Sequence, residues 1–65
     1  MSGTERVLNR IPENVRLYVE WLKNQYKKEH KDIFRSASGS YMKGLQDAGL
    51  ISDLERRLLF NYTTL

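Results

Sequence analysis

Residues 12–31 read PENVRLYVEWLKNQYKKEHK, and this stretch decides the fold. Val15, Val19, Leu22 and Tyr26, flanked by Tyr18, recur at steps of three and four, the spacing of one apolar stripe on an α-helix. Pro12 fits the opening turn, where its missing N–H would have no intrahelical partner, and Glu13 sets negative charge against the positive helix end. Lysines crowd the far end, where cations complement exposed carbonyls. The reading is a single long helix over 12–31.

Working towards the amino end, Val7, Leu8 and Ile11 suggest an arm or short helix within 1–11, with Thr4 as its cap. Towards the carboxyl end, Ile33 and Phe34 lead into Ser36-Ala-Ser-Gly-Ser40, a small-residue run that reads as a turn. A short helix over 37–48 is then expected, capped by Ser36 or Ser38, with Tyr41, Leu45 and Ala48 facing inward and Met42 beside them. Gly49 suits a helix stop because it takes the left-handed conformation without a Cβ penalty. Ser52 and Glu55 have the spacing of a capping box for a last helix over 52–62. Its stripe is read as Ile51, Leu54, Leu58 and Tyr62, with Asp53 and Arg57 placed to pair at i,i+4. No segment alternates with period two. The expected fold is all-α: one domain, 1–65, a small bundle of three main helices preceded by the arm or short helix at the amino end.

The 65-residue chain has no cysteine and one histidine, so disulfides and thiolate metal sites are excluded and no metal or other cofactor is expected. A chain of this size buries only about 60% of its unfolded surface, so helix packing and self-association must supply its stability. No apolar run approaches the roughly 20 residues of a membrane span, and the first residues lack the apolar core of a secretion signal. The expected compartment is the cytoplasm. An enzyme is not expected: one histidine, no converging carboxylates and little room for a pocket leave only a Ser38–His30–Asp32 arrangement that no spacing recommends.

Charge is unevenly placed. Residues 23–35 carry five basic side chains and two acidic ones, so the entire net charge of +3 resides there. Lys23, Lys27, Lys28, Lys31 and Arg35 are therefore the candidate nucleic-acid contacts. Arg16, Lys23, Lys27 and Lys31 share one flank of the long helix, with Glu20 among them and His30 at the edge, a row able to follow a phosphate backbone. The same pattern also describes an ordinary solvated face.

Leu17 and Trp21 lie nearly opposite the Val15–Tyr26 stripe, and Phe60 lies off the stripe of the last helix beside Arg56. A helix apolar on two sides is either sandwiched in its own domain or meets another chain. Leu17, Trp21, Phe60 and Arg56 are thus the candidate protein interface, unless the amino-terminal segment or Ile33 and Phe34 cover them. A helix–turn–helix DNA reader across residues 41–62 fits poorly. Leu58, Leu59 and Phe60 fall where such a motif needs polar side chains, and a packed hairpin is the better reading. Gly39 is explained by a turn and Gly44 by close helix approach. The Asn61-Tyr62-Thr63 sequon requires a secretory route, and the terminal Thr63-Thr64-Leu65 is too short a match to carry weight.

The expectation is a small non-enzymatic regulatory binding protein, acting on nucleic acid or within a transcription complex through its basic helix face, and dimeric. The alternative is an adaptor or inhibitor that binds only protein through the off-core apolar residues. Neither a small-molecule substrate nor a membrane surface is expected, since the Val- and Tyr-lined stripe suits a folded core.

Overall fold

The computed structural model describes residues 2–29 and 31–65. They form four helices: α1 (Gly3–Arg10), α2 (Glu13–Glu29), α3 (Asp32–Asp47) and α4 (Asp53–Thr64). No strand occurs among the described residues, and no helix there is long and apolar enough to cross a membrane. The bundle measures 28 × 25 × 20 Å.

α4 is the hub, packing against α1, α2 and α3. This explains why its sequence is apolar on more than one side. Leu59 and Thr63 are fully buried, Leu58 faces α1 beside Gly3, and the Phe60 ring lies against Gly39 of α3. The expected stripe of α4 is thereby corrected. Ile51 is buried as read, but Leu54 is exposed, and Leu59 takes the innermost position. In α2 the reading holds for Val15, Val19 and Leu22, all buried, whereas Tyr26 is half-buried and Tyr18 largely exposed.

The largest correction concerns the serine-rich run. Residues 36–40 are not a turn; they lie inside α3, which begins at Asp32 and takes in Ile33 and Phe34. Lys31, in extended conformation, occupies the cap position, and its carbonyl accepts from the N–H of Phe34 at 3.0 Å. Small residues here serve contact rather than a bend. Ser38 is fully buried, and a Cβ on Gly39 would stand 3.5 Å from the Phe60 ring. A Cβ on Gly44, by contrast, would have nothing within 4 Å, so the close approach belongs to Gly39. The inner face of α3 is Ser38, Met42 and Leu45, while Ala48 is exposed and Tyr41 half-buried.

Local signals at the other ends are as chemistry dictates. Gly49 has φ +78°, the left-handed stop expected of it. Ser52 and Glu55 cap each other's backbone N–H groups at 3.2 and 2.8 Å, and Asp53 pairs with Arg57 at 3.1 Å. Glu55 is shared: Arg10 at the end of α1 reaches it at 2.6 Å and also donates to the Leu50 carbonyl at 3.1 Å. One arginine thus ties α1 to the α3–α4 corner. Ser2, not Thr4, caps α1, its hydroxyl accepting from the Glu5 N–H. Pro12 stands just before α2, its carbonyl accepting the first helical bond from Arg16.

Candidate functional site

The long helix stops at Glu29, before Lys31, and this breaks the expected basic row. Lys31 belongs to the start of α3 and pairs with Glu29 at 3.2 Å. Arg16 lies 4.0 Å from Glu13. Lys23 turns towards α4, where its Nζ sits 3.8 Å above the centre of the Tyr62 ring, a cation–π contact. The Tyr62 hydroxyl in turn donates to Glu20 at 2.6 Å. Burial, reinforced by the hydrogen bond to Glu20 and its negative charge, pushes the Tyr62 phenol up to about 12. The 20–23 segment is therefore joined to the fold. Lys27, Lys28 and Arg35 are exposed and make no ion pair with a described residue. His30 lies outside the described residues, as does any arrangement built on it.

The expected protein interface divides as well. Phe60 is half-buried and packed on the core, and Arg56 is engaged by Gln46 at 2.6 Å and Asp53 at 2.9 Å. Both serve the α3–α4 contact. Leu17 and Trp21 remain 55% and 46% exposed. Phe34 meets the Trp21 ring edge-on, with centroids 6.1 Å apart, and does not cover it.

Around Trp21 the structure assembles a surface that no residue announces singly. Tyr18 stacks on Trp21 with centroids 5.5 Å apart and also touches Tyr41 of α3 at 4.6 Å. Four rings from two helices thus form a continuous aromatic ledge, Phe34–Trp21–Tyr18–Tyr41, with Leu17 at its border. Ring contacts of this kind hold side chains in fixed orientations before any partner arrives. Burial raises the Tyr41 phenol above its ordinary value, with Tyr18 adding to the shift, so Tyr41 is neutral at physiological pH. The signal available in sequence was the three-residue spacing of Tyr18 and Trp21; their meeting with Phe34 and Tyr41 required the α2–α3 packing.

Away from the ledge, a concavity of about 280 Å³ opens between α1 and α4, lined mainly by Leu8, Leu58, Tyr62 and Leu65, with the Glu5 side chain at its wall. Among the described residues no three His, Cys, Asp or Glu side chains gather as a metal site. No family model, curated protein or solved structure matches the chain.

Proposed function

We propose that this chain is a non-catalytic binding protein whose working surface is the aromatic ledge of α2 and α3, and that it engages a protein partner there. One observation carries the reading: Leu17, Tyr18 and Trp21 are exposed together on a helix whose opposite side is fully packed. Aromatic residues, tryptophan and tyrosine above all, supply large contact area at low entropic cost and dominate binding energy at protein interfaces. The test is capture of bound protein by the intact chain and by Trp21→Ala, each compared with Lys27→Glu/Arg35→Glu. Loss of capture confined to Trp21→Ala supports the reading; loss confined to the charge-reversal variant overturns it.

A second reading is contact with nucleic acid, in isolation or within a transcription complex. It is favoured by Lys27, Lys28 and Arg35, which are exposed and form no ion pair with a described residue. With three cations available rather than five, the logarithm of duplex affinity should fall with the logarithm of salt concentration with a slope of about −3 at most. A slope near zero, or no binding at low salt, removes this reading.

A further inference from the structure

We infer that the partner on this surface is a second copy of the same chain, joined through an antiparallel pairing of α2 with α2; the inference rests on the protein-binding reading above. The argument comes from how charge is distributed along the exposed arc. At 3.6 residues per turn, Glu13, Leu17, Trp21, Asn24 and Lys28 fall within an arc of about 80°. The acid stands in the first turn of α2 and the base in the last. The Glu13 side chain is 79% exposed, its contact with Arg16 is a long 4.0 Å, and Lys28 has no ion pair with a described residue.

A two-fold axis crossing α2 between Glu20 and Trp21 relates positions equally far from that point. Glu13 then faces Lys28 of the other copy, and Lys28 faces its Glu13. Leu17 faces Asn24, Trp21 stands opposite Glu20, whose carboxylate is held by the Tyr62 hydroxyl, and the two Trp21 rings meet beside the axis. An isologous interface requires a patch that complements itself under such a rotation. Acid at one end, base at the other and the exposed Leu17 and Trp21 between them meet that requirement, whereas a parallel pairing would set like charges side by side. Opposed helix dipoles favour the same direction. A 65-residue domain without cysteine also belongs to the size class in which oligomerisation commonly supplements a small core.

Sedimentation equilibrium on the full chain, with far-UV circular dichroism to confirm folding, tests the pairing. The wild type should dimerise, and Leu17→Glu should abolish the dimer while helicity is kept. Glu13→Lys alone and Lys28→Glu alone each convert two attractive contacts into repulsive ones and should weaken the dimer about tenfold, within reach of two interfacial charge pairs. The double variant Glu13→Lys/Lys28→Glu should return affinity to near the wild-type value. A dimer indifferent to Leu17→Glu, or a double variant no tighter than the single ones, overturns the pairing. A wild-type chain monomeric at every concentration also overturns it. If that monomer still captures a different protein in a Trp21-dependent way, the protein-binding reading survives; if not, both fall.

Discussion

Tyr62, three residues from the carboxyl end, donates a 2.6 Å hydrogen bond to Glu20 in the middle of α2, while Lys23 lies over the same phenol ring. This pair joins the last helix to the longest one and withdraws Lys23 from the solvent-facing charge. Tyr62→Phe removes the hydroxyl but keeps the ring, and a half-buried bond to a charged acceptor should cost about 1–2 kcal/mol. Urea denaturation of the two proteins measures the difference.

The same phenol predicts an alkaline limit. Its folded value near 12 lies above the ordinary 10.0, so its contribution is fully present below pH 10. That contribution is lost as pH rises through about 12. Stability measured at about pH 8 and about pH 11 should decline more in the wild type than in Tyr62→Phe; equal declines would assign the loss to other groups.

At the acid end Glu55 has the opposite sign. The Ser52 backbone N–H above all, and Arg10 after it, hold its carboxyl below the ordinary 4.5 against the opposing effect of burial. Its contribution is present above about pH 4.5 and fades as pH falls through the lower folded value. Glu55→Gln should flatten acid denaturation between about pH 5 and about pH 3 in a stability–pH profile. An unchanged profile would place the acid sensitivity on other carboxylates.

Ser38 offers a stabilising substitution. Its hydroxyl is fully buried without a hydrogen-bond partner among the described residues. Ser38→Ala removes an unsatisfied polar atom and improves helix propensity, which together should add about 1 kcal/mol. A fall in thermal midpoint would show that the hydroxyl is satisfied in solution.

Gly44 and Gly49 should respond in opposite directions to alanine. Gly44 lies within α3 with open space where a methyl would go, and Gly44→Ala should stabilise by about 0.5–1 kcal/mol. Gly49 has equal space but a φ of +78°, so Gly49→Ala should destabilise by about 1 kcal/mol. Thermal unfolding of both variants checks the contrast, since neither change touches a neighbouring side chain.

Residue identity alone determined the features that depend on near neighbours. The apolar spacing of Val15, Val19 and Leu22, the Ser52–Glu55 cap and the stop at Gly49 follow from helix periodicity and backbone chemistry acting within a few residues. Tertiary structure decided what local rules leave ambiguous. Small residues at 36–40 suit a turn and a tight helix contact equally, and only the Phe60 ring resting on Gly39 selects the helix. Likewise α2 and α4 both carry apolar side chains on two sides. In α4 three neighbouring helices cover Leu58, Leu59 and Phe60 and leave only Leu54 of its apolar side chains well exposed, while in α2 the packing leaves both Leu17 and Trp21 partly in water. Periodicity specifies which side chains share a face, but the number of helices arriving at that face is a property of the assembled bundle.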